Sequence, residues 1–304
     1  MHGRLSAPCN WRPTPHSLDA ELRQVMTSAK EIETGNFAVP RFWIWPPDSI
    51  RVVDWNINRG LQFERVIEFL GSAKADILLL QEADLNARRT RRLNIAREIA
   101  QKLRMNYVFG REFQELTQGS RTSPAYHGQA TLSPWPLSNF RIIRFQKQSS
   151  FWHPHWFLPE ISPFQERIGG RLALVGEVNI GGKKVVTYNL HLESKGDDRL
   201  RSSQLEEVLT DARQCTLDTP ALLAGDFNFD VSSGPMAAAI SGAQFQDAFL
   251  DRRVPTTPHS LFGPGRTIDW IFARGPLRVR QAQVCRSISA SDHYPLSADL
   301  ALIT

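Results

Sequence analysis

From residue 51 onward, the chain alternates between two kinds of apolar pattern. The stretches 51–58, 76–82, 183–190, 220–228 and 267–272 are short, largely apolar runs bounded by Gly, Pro, Asn or Asp, which predicts buried strands. Between them, apolar residues recur every three or four positions. Phe63, Val66, Ile67 and Leu70 predict a helix over 62–74, and Leu200, Leu205, Val208 and Leu209 predict one over 198–213, with a further helix at 93–103. Strand-like segments also fall at 106–109, 129–132, 138–145, 171–179 and 296–300, and Gly181-Gly182 joins 171–179 to 183–190 as a hairpin. The strand–helix–strand order over 51–82 calls for a parallel pair in an α/β fold. Ahead of this core, Leu18, Leu22, Val25 and Met26 predict a helix over 16–33 that Gly35 would end, and the aromatic stretch 41–47 is expected to cover the outside. Residues 1–48 are thus expected to be an extension packed on a domain formed by 49–304.

What separates these strands from ordinary core strands is how they end. The run 220–228 reads Pro-Ala-Leu-Leu-Ala-Gly-Asp-Phe-Asn, and an extended backbone would place Asp226 and Asn228 on one face with Phe227 on the other. A carboxylate there accepts a proton or binds a cation, and its carboxamide neighbour donates to an anion. A strand-terminating turn explains the same residues more simply. Yet the feature repeats, with Asn56 and Asn58, Gln81 and Glu82, His191, Asp269, and Asp292 with His293 at or near other strand ends. A buried strand ending in Glu82 needs a metal ion or an arginine, because an unpaired carboxylate in apolar surroundings is costly. Asp269, inside an apolar run, needs a cationic or hydrogen-bonding partner.

Composition narrows the classes. A chain of 304 residues with 41% hydrophobic and 22% charged residues has ample material for a core. No apolar run approaches the roughly 18 residues of a membrane-spanning helix, and the N-terminus has no apolar stretch of the export-signal kind. Three scattered cysteines, Cys9, Cys215 and Cys285, suggest neither a disulfide framework nor a zinc site, and no Cys/His cluster invites zinc. A reduced, cytoplasmic protein is expected. A net charge of +5 and a pI near 9.3 favour polyanionic partners without requiring them. The run 88–92 contains four arginines, which read either as a solvated helix start or as phosphate contacts. The segment 146–166 is dense in aromatic residues and reads as a cover on the core, a base-stacking platform, a membrane-touching loop or, through His153-Pro-His155, a metal-binding His-x-His that lacks a nearby acidic ligand cluster.

Taken in order, Trp55-Asn56, Gln81-Glu82, Gly128-Gln-Ala-Thr-Leu-Ser, His191-Leu-Glu-Ser, Arg201 with Gln204, Gly225-Asp-Phe-Asn, Ile268-Asp269 and Ser291-Asp-His resemble the motifs of the endonuclease/exonuclease/phosphatase superfamily. The resemblance covers residues 51 to 302. It implies a DNase I-like α/β fold, a four-layer sandwich of two mixed β-sheets packed face to face with helices outside, and makes 49–304 the catalytic domain. It implies a phosphodiesterase dependent on Mg²⁺ or Mn²⁺, with Ca²⁺ admissible as a second ion. A nuclease acting on DNA is the leading expectation, and a sphingomyelinase-like lipid phosphodiesterase touching a membrane surface is the alternative. By the same resemblance Glu82 holds the metal with Asn56 and Asp292, Asp226 orients or deprotonates the attacking water, and Asn228 and His191 donate to the phosphate. His293, held by Asp269, serves as base or as phosphate clamp, and Arg201 and Gln204 act as supports. A monomer is expected. An Asn58 where some repair enzymes carry Asp, and His191-Leu-Glu in place of an Asn-x-Tyr element, point away from abasic-site cleavage.

Overall fold

The computed structural model describes residues 31–39, 47–152, 166–250, 254–259 and 263–303. In chain order these form β1 (Ile32–Asn36), β2 (Ser49–Arg59), α1 (Phe63–Ala73), β3 (Ile77–Leu85), α2 (Ile95–Leu103), β4 (Asn106–Glu115), β5 (Ala125–Ser133), β6 (Leu137–Arg144) and β7 (Arg167–Gly169). There follow β8 (Leu172–Ile180), β9 (Lys183–His191), α3 (Asp198–Ala212), β10 (Ala221–Asp226), α4 (Gly234–Gly242), β11 (Gln246–Asp247), β12 (Asp269–Arg274), β13 (Leu277–Val284) and β14 (Leu296–Leu302). Among the described residues, one sheet runs β1-β4-β5-β3-β2-β14-β13 with β7 added on β4, and the other runs β11-β12-β10-β9-β8-β6. Each sheet is mixed. The pairs β2–β3 and β9–β10 are parallel, and their other pairings are antiparallel.

Alternation along the strands explains the layering. Val53, Trp55, Ile57, Leu78 and Leu80 face outward and pack with Val66 and Leu70 of α1 and Ile95 and Ile99 of α2. On the opposite side, Val186, Tyr188, Leu190 and Leu223 pack with Leu205, Val208 and Leu209 of α3 and Ile240 of α4. Between the sheets lie Ile50, Val52, Ile77 and Leu79 from one, and Val178, Val185, Leu222, Ala224 and Ile271 from the other. Helices, sheet, sheet and helices make the expected four-layer α/β sandwich.

Three readings change. The end of the expected N-terminal helix is strand. Ile32–Asn36 pairs with β4, and Glu33 accepts hydrogen bonds from Tyr107 Oη (2.6 Å) and Asn94 Nδ2 (2.5 Å). Long-range pairing overrides the local helical spacing there, while 16–30 and most of 41–47 fall outside the described residues. Cys215 is disulfide-bonded and Cys285 is free, so the reading of scattered, reduced thiols does not hold. β3 does not stop at Glu82 but continues to Leu85 through a register irregularity between Leu80 and Ala83. No helix among the described residues is long and apolar enough to cross a membrane.

Candidate active site

The layer between the sheets turns from apolar to polar along its strands. In β2 the inward positions run Ile50, Val52, Asp54, Asn56. In β9 they run Val185, Thr187, Asn189, His191, and in β10 Leu222, Ala224, Asp226. Pairing then fixes which polar residues meet. Asn56 is opposite Gln81, and Asp226 is flanked by His191 of β9 and Asp269 of β12.

Asp226 is the centre of the arrangement. It is 2% exposed, accepts a hydrogen bond from Asn56 Nδ2 at 3.1 Å and one from the Asn228 backbone N–H at 2.9 Å. Its Oδ2 lies 3.5 Å from His191 Nε2 and 3.7 Å from His293 Nε2. His293 Nδ1 is 2.9 Å from both carboxylate oxygens of Asp269, which also accepts from Thr256 Oγ1 at 2.5 Å. Burial works against charge on His293, but Asp269 and Asp226 outweigh it and hold its pKa above the ordinary imidazole range. The expected Asp269–His293 pair is therefore present. Trp55 Nε1 donates to the His293 backbone carbonyl at 2.9 Å and ties the loop to β2.

A second group adjoins the first through His191. Ligand atoms of Glu82, His127 and His191 lie within 4.8 Å of one another, as do those of Asp226, Asp269 and His293. Either trio could hold a divalent ion. This corrects the expectation that no histidine cluster exists, because the packing of one sheet on the other brings His127 of β5 beside His191 of β9. Glu82 sits at φ +56° in the β3 irregularity, which turns its side chain off the strict alternation. Burial pushes the Glu82 carboxyl up, but His127, Arg59, His191 and Arg171 prevail and hold it well below the usual carboxylate range. Arg59 Nη1 is 3.3 Å from Glu82 Oε2. The ionised carboxylate fits a divalent cation.

The remaining expected residues are placed differently. Asn228, at φ +59°, leaves the extended conformation, and its Nδ2 donates to the Leu192 carbonyl at 3.0 Å. Period-2 alternation does not extend past Asp226, where β10 ends. Asn56 Oδ1 accepts the Asn58 N–H at 3.1 Å. Asp292 is exposed, with Ser291 Oγ 3.2 Å from its Oδ1, and belongs to neither trio. His191 is 1% exposed, with Nδ1 3.5 Å from Glu112 Oε2 and Arg171 Nη1 2.9 Å from both ring nitrogens. Arg201 Nε donates to the Glu193 carbonyl (2.7 Å), while Gln204 Oε1 accepts the Glu193 N–H (2.9 Å), so both brace the segment after β9.

Four buried participants were missing from the sequence reading. Arg171 and Glu112 form an ion pair at 2.9 Å beneath His191. His127 lies one position before the Gly128-Gln motif, which was its only signal. Asp54 is wholly buried and accepts from Gln81 Nε2 at 2.9 Å, while Gln81 Nε2 also donates to Asn189 Oδ1 of the other sheet at 2.8 Å. Burial first, and then Asp269, raises the Asp54 pKa well above the carboxylate range.

The arginine run divides. Arg89 is bidentate to Asp84 (2.7 Å on each arm) and reaches Glu115 (3.0 Å), whereas Arg91 and Arg92 are exposed. An open groove is lined by Gly60, Arg65, Arg91 and Lys102, with Glu64 and Glu98 among its walls. In the aromatic segment, Trp152 is buried against Phe113 and donates to Glu193 Oε1 at 2.8 Å, so it packs on the core and does not reach outward. Phe151 stays 57% exposed beneath Lys195, and 153–165 fall outside the described residues.

Among curated protein sequences none matches the chain closely enough to count as a relative. Among solved structures, an endonuclease/exonuclease/phosphatase from Beutenbergia cavernae superposes with a TM-score of 0.61 at 19% identity, over 84% of this chain and 72% of its own. The human Nocturnin catalytic domain, solved with a bound sulfate anion, gives 0.60 at 17% identity over 90% and 98%. A truncated TDP2 from Caenorhabditis elegans gives 0.56 at 22% identity over 83% and 98%. The model of the endonuclease/exonuclease/phosphatase family matches residues 55–293, a span from Trp55 through His293 that takes in the whole rim just described. The chain belongs to the endonuclease/exonuclease/phosphatase family, whose members hydrolyse phosphoester bonds.

Proposed function

We propose that the protein is a divalent-metal-dependent phosphodiesterase that cleaves nucleic acid, DNA foremost. The observation that carries this reading is the position of Asp226, a nearly buried carboxylate set among Asn56, His191 and His293 at 3.1–3.7 Å. Such a carboxylate is placed to orient a water and take its proton. His293, with Nδ1 fixed by Asp269 and Nε2 turned toward Asp226, supplies a positive N–H for a phosphate oxygen or receives the proton. Asn228 is held by two hydrogen bonds and presents the remaining amide proton as a donor. Glu82 would hold Mg²⁺ or Mn²⁺, with Asn56 as a flanking oxygen donor and Asp292, exposed and outside both trios, as a donor that the resemblance adds; such an ion would supply positive charge for the phosphate oxygens.

Two features favour a nucleic-acid substrate. The net charge is +5, and Arg65, Arg91 and Lys102 line one open groove. The test is turnover with Mg²⁺, Mn²⁺ or EDTA on plasmid, single-stranded DNA, RNA, sphingomyelin vesicles and bis-p-nitrophenyl phosphate. DNA cleavage that EDTA abolishes is expected, and Asp226→Asn should lower the rate at least ~100-fold, the scale of a lost general base. Cleavage of sphingomyelin with no nucleic acid touched would replace the substrate class. No hydrolysis of any of these esters with either ion would end the reading.

A further inference from the structure

Phe151 keeps 57% of its surface open to solvent, yet the residues around it are pinned. What pins them is Glu193, wholly buried just past β9. Its Oε1 accepts from Trp152 Nε1 and from the Lys195 backbone N–H, both at 2.8 Å, and its Oε2 accepts the Ser149 N–H at 3.2 Å. One carboxylate thereby joins the loop 149–152 to the segment 193–195. Gln204 of α3 joins them again, accepting the Glu193 N–H (2.9 Å) and donating to the Lys147 carbonyl (2.9 Å). On this frame Phe151 and Lys195 are left outside, with Lys195 Nζ 5.4 Å from the Phe151 ring centroid, and the hydrolytic scheme above uses neither. The frame also reaches the rim. The Trp152 ring packs 4.7 Å from that of Phe151 and lies 5.8 Å from the Arg171 guanidinium. Arg171 Nη2 donates to Ser194 Oγ at 2.8 Å, and its Nη1 is 2.9 Å from the His191 ring nitrogens.

We propose that Phe151 and Lys195 form a subsite for one nucleotide of the bound strand, with a base stacked on the Phe151 ring and its phosphate paired with the Lys195 ammonium. The inference rests on the nucleic-acid reading above and adds where on the surface the strand runs. A ligand for this pair must offer a flat apolar face and a negative charge together, and a nucleotide has both. Every base has a π-face, so the subsite would place the strand without choosing a base. The frame fixes the ring in advance, which lowers the entropic cost of stacking on it. A phospholipid also combines an anion with apolar groups, but binding at a membrane surface grows with the apolar area buried there. Among the described residues of 146–152, Phe151 is the exposed ring and Trp152 is turned inward. One ring is enough for a base and little for a bilayer.

Strand binding, read without turnover, decides it. The Asp226→Asn protein with Mg²⁺ serves as parent, alone and carrying Phe151→Ala, Phe151→Tyr or Lys195→Gln. Each is titrated by fluorescence anisotropy with a labelled single-stranded oligonucleotide, and with a strand of equal length in which abasic spacers replace the bases. Phe151→Ala should bind the natural strand at least ~5-fold more weakly, the least that one stacked base contributes, with the abasic strand unaffected. Phe151→Tyr keeps the ring and should bind both strands as the parent does. Lys195→Gln should lower the slope of log affinity against log salt by about 0.7, one single-strand phosphate. Equal affinity of Phe151→Ala and parent for the natural strand overturns the subsite. So does an equal loss on the abasic strand, an equal loss in Phe151→Tyr, or an unchanged slope in Lys195→Gln. Vesicles of sphingomyelin and phosphatidylserine that bind the parent and not Phe151→Ala, with strand affinity equal in both, would hand the ring to a membrane. A parent that binds neither strand ends the nucleic-acid reading itself, whereas each of the other failures ends the subsite alone.

Discussion

Glu112 and Arg171 are buried beneath His191 as an ion pair, and their charges set the electrostatics of the rim above. Burial alone would raise the Glu112 carboxyl, but Arg171, His191 and His127 bring it down to about 2. A carboxylate whose folded pKa is depressed adds stability above its unfolded pKa, near 4.5, and that stability disappears as pH falls through about 2. The shift corresponds to something on the order of 3 kcal/mol. In chelator, unfolding by urea should therefore show the wild type more stable than Glu112→Gln at pH 7, with the difference shrinking as pH falls below about 4.5. A difference that stays constant from pH 7 to pH 3 would mean the carboxylate's charge is not what holds the pair. Neither partner was visible in the sequence. A charged residue in an alternating strand reads as solvent-facing, and only the arrival of β8 and β9 beside β4 shows that Glu112 faces a sealed layer. Asp226 and Asp269 were legible because one ends and the other interrupts an apolar run, where charge has no ordinary excuse, and His293 through the Ser291-Asp-His stretch that precedes the last strand.

At the scale of elements, the parallel contact between β9 and β10 depends on a single glycine. Gly225 sits at φ +143°, and a Cβ there would meet the Leu190 carbonyl oxygen at 1.9 Å. Both the backbone angle and the contact exclude a side chain. Gly225→Ala should destabilise the fold by roughly 3 kcal/mol or more, measured as a lowered denaturation midpoint with the slope unchanged. A loss within about 0.5 kcal/mol, the range of an ordinary surface change, would show that the strands can separate to admit a methyl group. Helices α1, α2 and α3 and strands β2, β8, β9, β10 and β12 lie within about two residues of their sequence-based bounds, since strong amphipathic or apolar periods specify them, whereas β3, β4 and β5 each run several residues past theirs at one end. β1, β7, β11, β13 and α4 escaped. β1 exists because β4 offers it an edge, a contact no local pattern encodes. In α4 the run Gly-Pro-Met-Ala-Ala-Ala-Ile has little apolar–polar contrast from which to read a face.

Across the whole molecule, charge is distributed in two ways. Ionised groups at the rim are tied to one another, whereas Arg91 and Lys102 stand exposed along the open groove. If that groove carries a DNA backbone, removing Arg91 and Lys102 together should weaken binding and lower the slope of log affinity against log salt by roughly 2. Fluorescence anisotropy over a salt series with a labelled duplex measures both, and an unchanged slope would place the strand elsewhere. The topology of the two sheets was readable only in outline. Strand–helix–strand order gave the parallel pair β2–β3 but not β9–β10, and which sheet each later strand joins depends on contacts as distant as Arg51 with Asp299.

His191, Asp226 and Asp269 are direct neighbours on three adjoining strands, so their spacing is fixed by the backbone ladder and not by side-chain choice. Inserting or deleting one residue within those strands would turn alternate positions over and empty the rim. Descendants of this chain that take up a new ester must therefore alter the connections between strands and keep these three residues where the ladder sets them.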